Sequence, residues 1–376
     1  MASNKTISPK KSSNDGLALL AEEVSRLSRL LTKDRAYIPP AYLKDEGLRK
    51  AYLTYYLPSN LLKIRLPLKE LSLHQKNIFS KEHLRILDIG SGPGSAALGV
   101  LGFFSRLENK PVLEFVASDY VAENLKDAAT IFESYKQHFR INASLRTVKT
   151  SVQKLKPLLE GRYDLIILSN VLNELFLNDK KRIGKRIEFL NEILGHFLMH
   201  DGSCIIIEPA LHDTSREMLL VRDGLLARGF HIYSPCLMNL SCPALVRPKD
   251  WCHEDVPWEP PALIKEIDKL AGLRKDSLKF SYVVLRKDGL SLTDVYGADS
   301  FRIVSEPIIS KGKVEFYLCG KGGRRLITRL DKDKSPANES FDALKRGDIV
   351  RFEKLLDEGK RYKVEENTSV TSKNTC

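Results

Sequence analysis

The stretch Asp88-Ile-Gly-Ser-Gly-Pro-Gly94 decides the fold. It follows a β-rich apolar run at 84–89, and its glycines stand at alternate positions, Gly90, Gly92 and Gly94. Without a Cβ in the way, such a turn brings backbone close to a ligand and opens onto the N-terminus of the next helix. A plain strand-to-helix turn that merely needs glycine is the competing reading. The segments around the turn favour the ligand site: a strand precedes it, a helical stretch follows, and a second β-rich run at 112–117 leads to an acid, Asp119. Ser95 stands where a dinucleotide fingerprint places its third glycine, so the match to nicotinamide or flavin binding is imperfect.

Further out, the runs at 164–168 and 204–207 alternate with longer helical stretches, which is the rhythm of βαβ units. Leu165-Ile-Ile-Leu168 and Ile205-Ile-Ile207 are continuously apolar, as strands covered on both faces by crossover helices are. Asp88 and Asp119 resemble the two acidic positions of class I methyltransferases. That resemblance implies a Rossmann-like sheet binding S-adenosylmethionine, with Asp88 organising the methionine end and Asp119 accepting the ribose hydroxyls. Gly90, Ser91, Gly92, Gly94, Tyr120 and Asn170 complete the expected cofactor residues. The exit of the fourth strand, Leu168-Ser-Asn-Val-Leu-Asn-Glu-Leu175, carries Ser169, Asn170, Asn173 and Glu174 at the carboxyl edge, where open α/β sheets bind ligands. Asn173 and Glu174 read equally as helix caps. The exit lacks the Asn/Asp-Pro-Pro-aromatic run usual in amino-directed nucleic-acid methyltransferases, and no cysteine follows it for a cytosine adduct. No catalytic residue is assigned.

The chain of 376 residues exceeds one small core, and 43% hydrophobic with 29% charged residues suits a folded globular protein. Residues 1–15 are polar and expected to be disordered, and 16–82 form a helical preface in which Leu17 to Leu31 repeats apolar residues at three- and four-residue intervals. A methyltransferase domain spans 83–290 and includes a cysteine-bearing insert at 234–278. A small β domain follows at 291–358, and 359–376 are expected to fray. No run of eighteen apolar residues occurs, so no membrane span is expected. The first fifteen residues have no apolar stretch for a secretory signal and no arginine for a mitochondrial presequence. A reducing compartment is therefore expected: the cytoplasm, or the mitochondrial matrix in a eukaryote. Lys and Arg number 60 against 48 Asp and Glu, a net charge of +12 that favours polyanionic partners or is simply a solvated surface.

Within 234–258 the β/α rhythm fails, giving three cysteines, four prolines and both tryptophans. Cys236, Cys242 and Cys252 are separated by five and nine residues, and Cys319 in Tyr317-Leu-Cys-Gly-Lys-Gly322 is the fourth candidate, with Cys204 and Cys376 set aside. Clustered thiols select zinc or iron-sulfur clusters. The gaps exceed those of zinc ribbons and, with the Cys242-Pro243 pair, lean toward a [4Fe-4S] cluster. Packing as small hydrophobes is the alternative, and His231 or His253 could replace a cysteine at zinc. If 229–234 is the sixth strand and 280–286 an antiparallel seventh, the insert leaves the sheet beside the cofactor pocket.

Together these features resemble the methyltransferase-like family of small-ribosomal-subunit assembly factors of mitochondria, bacteria and archaea. The resemblance spans most of the chain and rests on Asp88 to Gly94, Ile207-Glu-Pro209, Ser234-Pro-Cys236, Cys242-Pro243, Asp250-Trp-Cys-His253, Phe280-Ser-Tyr282 and Leu318-Cys319. It implies that Cys236, Cys242, Cys252 and Cys319 hold a [4Fe-4S] cluster and that the partner is small-subunit ribosomal RNA or the assembling small subunit, not DNA. One departure is Glu208-Pro-Ala-Leu-His212 where the family continues Glu-Pro-Gly-Thr-Pro, which bears on the catalytic half. The stretch 301–332 holds eight basic residues, Arg302, Lys311, Lys313, Lys321, Arg324, Arg325, Arg329 and Lys332, against three acidic ones, and Lys180-Lys-Arg182 with Lys185 and Arg186 forms a second basic run. Both suit RNA and both suit a solvated face. Three functions follow: an S-adenosylmethionine-dependent ribosomal RNA methyltransferase, a non-catalytic RNA-binding assembly module, or a zinc-containing methyltransferase acting on another substrate.

Overall fold

The computed structural model describes residues 13–39, 41–74 and 78–373. The expected disorder of the first residues and Cys376 fall largely or wholly outside them. No helix among the described residues is long and apolar enough to cross a membrane. The chain divides into two compact units, Met1–Ser59 with Pro257–Ser277, and Asn60–Val256 with Leu278–Cys376.

The first unit is helical. Helix α1 (Ser13–Leu31) buries Ala21, Val24 and Leu27 on one stripe, the stripe its apolar spacing encodes. They pack with Leu48 and Ala51 of α2 (Glu46–Ala51), with Tyr55, and with Ile264 and Ile267 from a helix at Ala262–Ala271. Asp45 caps α2 by accepting from the Leu48 N–H at 3.1 Å. Lys275 Nζ lies 4.2 Å from the centroids of both Tyr55 and Tyr56 and donates to Ser59 Oγ at 3.0 Å. The latter part of the 234–278 insert thus belongs to the helical unit, because it supplies that unit's missing apolar face. Residues from Asn60 onward, read as helical preface, group with the sheet instead.

The second unit starts with the end of α3 (Leu57–Lys63) and α4 (Arg65–Ser72). Its main sheet is built from β1 (His83–Ile89), β2 (Val112–Asp119), β3 (Ala143–Lys149), β4 (Tyr163–Ser169), β5 (Leu198–Pro209), β6 (His231–Ser234), β7 (Glu254–Pro257) and β8 (Ser277–Arg286). The order is β3-β2-β1-β4-β5-β8-β6, with β7 on β8. Neighbours from β3 to β5 run parallel, and β8 runs antiparallel to both β5 and β6, as expected for the seventh strand. This is the α/β class I methyltransferase sheet. Between the strands run α5 (Ser95–Phe104), α6 (Ala122–Phe139), α7 (Arg182–Phe197) and α8 (His212–Leu226). Every residue of β4 from Tyr163 to Leu168 is buried, the structural counterpart of its unbroken apolar run. Gly99 of α5 exists for close packing: a Cβ there would sit 2.2 Å from the Leu61 carbonyl oxygen.

With α9 denoting Ala262–Ala271, the short α10 (Thr293–Tyr296) leads into a second sheet. Its strands are β9 (Phe301–Ile303), β10 (Ile308–Ser310), β11 (Lys313–Gly320), β12 (Gly323–Leu330), β13 (Ile349–Glu353), β14 (Leu356–Asp357), β15 (Arg361–Val364) and β16 (Ser369–Lys373), ordered β14-β15-β12-β11-β9-β13-β16 with β10 on β11. The stretch expected to fray from 359 instead supplies β15 and β16. Tyr362, Val364 and Val370 enter the same core as Phe316, Leu318 and Phe341. Three apolar residues suffice there because strand pairing satisfies the backbone that a tail would leave to water.

Candidate cofactor turn and cysteine cavity

The glycine turn closes on its own backbone. Ser91 N–H donates to the Ser118 carbonyl at 2.9 Å, Gly94 N–H to the Ser91 carbonyl at 2.9 Å, and Gly92 N–H to Asp119 Oδ2 at 2.9 Å. The other Asp119 oxygen accepts from Val121 N–H at 2.8 Å and Asn124 Nδ2 at 3.2 Å, so one carboxylate fastens the turn to the start of α6. Gly90, Gly92 and Gly94 adopt φ of +65°, +53° and +88°, which disfavour any side chain. A Cβ on Gly90 would meet Val171 Cγ2 at 2.1 Å, whereas one on Gly92 would meet nothing within 4 Å. Gly90 therefore serves packing against the β4 exit, and Gly92 borders open space.

Asp88 is fully buried near the end of β1; neither carboxylate oxygen makes a hydrogen bond of normal geometry, and the Ala97 backbone N–H, close enough to lower the carboxyl, offsets only part of the burial. Burial pushes its carboxyl up to about 7. A buried carboxyl with so little compensation, at the foot of the glycine turn, suits a cationic ligand group, and the methionine ammonium of S-adenosylmethionine is one. Burial also raises Asp119, against the lowering effect of the Val121, Gly92 and Tyr120 amides and the Asn124 side chain. Tyr120 follows it and is 56% exposed. Asn170 leaves β4 with φ of +59° and donates its N–H to the Ile207 carbonyl at 2.8 Å.

The β4 exit is held by groups whose roles the sequence reading missed. Glu208, fully buried at the end of β5, accepts from Leu172 N–H at 2.9 Å, Asn173 N–H at 3.3 Å and Asn173 Nδ2. Arg186, read as part of a basic run, is 1% exposed and donates to the Leu175 and Asn173 carbonyls at 2.9 and 3.0 Å while pairing with Glu217 at 2.6 Å. Neither Asn173 nor Glu174 caps the next helix, because α7 begins at Arg182 with Lys181 as its N-cap. Lys63 stands near Glu208, and burial pulls its amine down to about 8.

Cys236, Cys242, Cys252 and Cys319 line a single cavity, together with Arg222, Trp251, His253, Arg302 and Arg324. Burial pushes the Cys242 thiol up to about 12 and raises Cys252 and Cys319 further, with charge on the other cysteines adding to each. Thiols so placed ionise only when a cation takes them. Among the described residues, however, no three Cys, His, Asp or Glu side chains are grouped to hold a metal ion. His253 lines the cavity, stacked 4.2 Å from Trp251, and burial lowers it to about 4. His231 starts β6 outside the cavity, and Cys204 is buried in β5.

The loop carrying the thiols is seated by α8. Arg216 Nη1 donates to the carbonyls of Ala244, Arg247 and Asp250 at 3.0, 2.9 and 2.5 Å, Arg222 Nη2 donates to Met238 O at 3.2 Å, and Asp223 Oδ2 accepts from Cys242 N–H at 2.9 Å. Ser281 Oγ on β8 donates to the Cys252 carbonyl at 2.8 Å. On the second sheet, Arg302 pairs in register with Cys319 and forms an ion pair with the fully buried Glu70 of α4 at 2.5 Å, while Tyr282 Oη donates to the other Glu70 oxygen at 2.5 Å.

The basic stretch at 301–332 is largely structural. Arg302 and Arg329 are buried in ion pairs, and Lys313, Arg324 and Arg325 pair with Glu315, Asp250 and Asp357. Lys311, Lys321 and Lys332 stand exposed.

Among solved structures, the chain resembles a putative class I S-adenosylmethionine-dependent methyltransferase from Listeria monocytogenes at 14% identity, covering 73% of this chain and 88% of that one with a TM-score of 0.36. It also resembles Aeropyrum pernix fibrillarin in complex with S-adenosyl-L-methionine at 15% identity, with coverages of 60% and 76% and a TM-score of 0.32. An O-methyltransferase family protein from Burkholderia thailandensis gives 11% identity, coverages of 74% and 71%, and a TM-score of 0.35. Scores this low carry nothing about chemistry. No curated protein sequence matches the chain. The family described as "Mitochondrial small ribosomal subunit Rsm22" matches residues 48–362, the sheet, the cysteine insert and most of the second sheet included. The chain belongs to the Rsm22 family of the mitochondrial small ribosomal subunit.

Proposed function

We propose that this protein binds S-adenosylmethionine at the glycine turn and acts on small-subunit ribosomal RNA during assembly of the small ribosomal subunit, with a [4Fe-4S] cluster held by Cys236, Cys242, Cys252 and Cys319. The observation that carries the cofactor reading is Asp88, a buried carboxyl with no full hydrogen bond at the foot of the turn in which Gly92 borders open space. When bound, S-adenosylmethionine supplies an electrophilic methyl group. The chain's own contribution is positional: Asp88 takes the methionine ammonium, Asp119 fixes the ribose and the turn together, and Gly92 leaves room for the cofactor's approach. The family description supports the ribosomal partner and a mitochondrial matrix location. The convergence of four thiols on one cavity supports the cluster.

A second reading, a non-catalytic RNA-binding module, has its own observation. Asn173 at the β4 exit is tied to the buried Glu208 through its backbone N–H and Nδ2, so both of its nitrogens are engaged in holding the loop. Titration calorimetry with S-adenosylhomocysteine on wild type, Gly92→Ala and Asp119→Ala tests the cofactor site; equal affinity in all three overturns it. Ribosome assembly in cells carrying those variants separates the two readings, since survival of assembly without cofactor binding makes methyl transfer dispensable. Crosslinking and sequencing of bound RNA names the substrate. RNA affinity should fall with salt at a log-log slope of roughly −0.7 to −0.9 per neutralised phosphate, and a flat response removes the RNA partner. Iron and sulfide analysis of anaerobically purified protein decides the cluster against zinc.

A further inference from the structure

Three arginines in the wall of the cysteine cavity share one arrangement. Arg222, Arg302 and Arg324 all line it, and the Nε of each is buried with no hydrogen-bond partner. Terminal nitrogens of Arg222 and Arg302 are engaged in hydrogen bonds, while Arg324 Nη1 stands in ion-pair range of Asp250 without a hydrogen bond of its own. Arg222 donates to Asp223 Oδ1 at 2.5 Å and to the Met238 carbonyl at 3.2 Å; Arg302 pairs with Glu70 at 2.5 Å and donates to the Gly347 carbonyl at 3.2 Å; Arg324 pairs with Asp250 at 3.0 Å. Arg222 lies within electrostatic reach of Cys236 and Cys242, Arg324 of Cys252 and Cys319, and Arg302 is the cross-strand partner of Cys319. His253 Nδ1, in the same wall, is also buried and unpartnered.

A buried N–H without an acceptor is rare in a folded protein, and of the four arginines whose Nε is so left among the described residues three line this one cavity, Arg329 standing apart from it. We propose that the Nε–H groups of Arg222, Arg302 and Arg324 are positioning donors to the sulfur atoms of the cluster assigned to the four cysteines, and that they set its reduction potential. The inference rests on the cluster reading above. Thiolate and bridging sulfide both accept N–H hydrogen bonds, and such bonds together with nearby positive charge favour the more negative, reduced state. The ion pairs with Asp223, Glu70 and Asp250 hold each guanidinium in orientation, so the donors are preorganised before any cluster is built.

Arg324 offers the cleanest test, since its outer pairing is to one side chain and it seats no backbone carbonyl of the cysteine loop. Arg324→Lys keeps a positive charge that reaches Asp250 but has no Nε–H, and Arg324→Gln removes the charge as well. The full-length protein, purified anaerobically, is assayed for iron and sulfide and then titrated by dye-mediated reduction. Both variants should retain wild-type iron and sulfide, because no ligand is changed. Their midpoint potentials should shift to more negative values, less for lysine than for glutamine. Should a variant fail to fold, exchangeable-deuteron couplings in the reduced wild-type cluster after transfer to deuterated water provide the second reading, and are expected to be present. Loaded variants with unshifted potentials, or a wild-type cluster without exchangeable couplings, overturn the inference alone. Wild-type protein lacking iron and sulfide removes the cluster reading and this inference with it.

Discussion

The glycine turn and the cysteine cavity are built on opposite plans. At the turn, backbone does the fastening: the Ser91, Gly92 and Gly94 amides all find acceptors within three short segments, and the Asp88 carboxyl and Asn124 Oδ1 are left without full hydrogen bonds. At the cavity, side chains drawn from α8, the insert, β8 and the second sheet converge, and several of their polar atoms remain unpartnered. A site closed by local hydrogen bonds holds its shape without a ligand, whereas a site assembled from distant elements and left with buried orphans depends on its occupant. Removing the occupant should therefore cost stability at the cavity and little at the turn.

The largest effect expected is at the thiols. Cys252→Ser should abolish iron loading and lower unfolding stability by about 5–10 kcal/mol, within the scale of structural metal sites. Thermal unfolding alongside iron analysis checks this; an unchanged melting temperature in an iron-free variant makes the thiols mere packing. Next is the buried pair that joins the second sheet to α4. Glu70→Ala leaves Arg302 at 3% exposure without its carboxylate, for a cost of about 3–5 kcal/mol, and Glu70→Gln should cost less because an amide oxygen still accepts. Urea unfolding curves rank the two, and equal losses remove the electrostatic explanation.

Two glycines sharpen the comparison within the turn itself. Gly90→Ala combines left-handed backbone with a clash against Val171 and should cost about 2–4 kcal/mol, part of it recovered in the Gly90→Ala/Val171→Ala double variant. Gly92→Ala meets no protein atom and should cost only about 1–2 kcal/mol from its backbone, yet weaken S-adenosylhomocysteine binding. Denaturation and calorimetry on the same samples separate the effects. A Gly92→Ala protein that binds normally puts the cofactor elsewhere.

What the sequence made legible was whatever a single segment encodes. The continuous apolar runs of β4 and β5 announced buried parallel strands, and the glycines at 90, 92 and 94 announced positive φ. The edge strand β3, Ala-Ser-Leu-Arg-Thr-Val-Lys, escaped notice because an edge strand of mostly exposed side chains has no apolar signature. Roles that depend on where distant elements meet were hidden altogether. Arg186 and Arg302 looked like surface charge for RNA, and only the packing of α7 against the β4 exit, and of the second sheet on α4, turned them inward. Likewise the helix Ala262–Ala271 gave no hint that its partners lay more than two hundred residues earlier.

The effect on binding that is smallest per step, at most about tenfold per pH unit, is also the most specific to the buried carboxyl. In the ligand-free protein Asp88 titrates near 7 because burial opposes its charge, so it is largely protonated at pH 6 and largely ionised at pH 8. A methionine ammonium binds the ionised form. Affinity for S-adenosylhomocysteine should therefore rise with pH, weakening by up to tenfold per unit below about 7 and levelling above it. Stability runs the other way: a carboxyl raised from the ordinary 3.8 loses stability as pH climbs from that value through about 7, so ligand-free Asp88→Asn should exceed wild type at pH 8 by roughly 2–4 kcal/mol and match it more closely at pH 4. Glu254, raised to about 7 by burial, contributes a similar slope that the variant retains, so the difference between the proteins isolates Asp88. Calorimetric binding from pH 5.5 to 8.5 gives the first profile and denaturation at the same pH values gives the second. Asp88→Asn should flatten the binding profile while raising the stability one, a pairing that a purely structural carboxyl would not produce, because losing a structural partner weakens both.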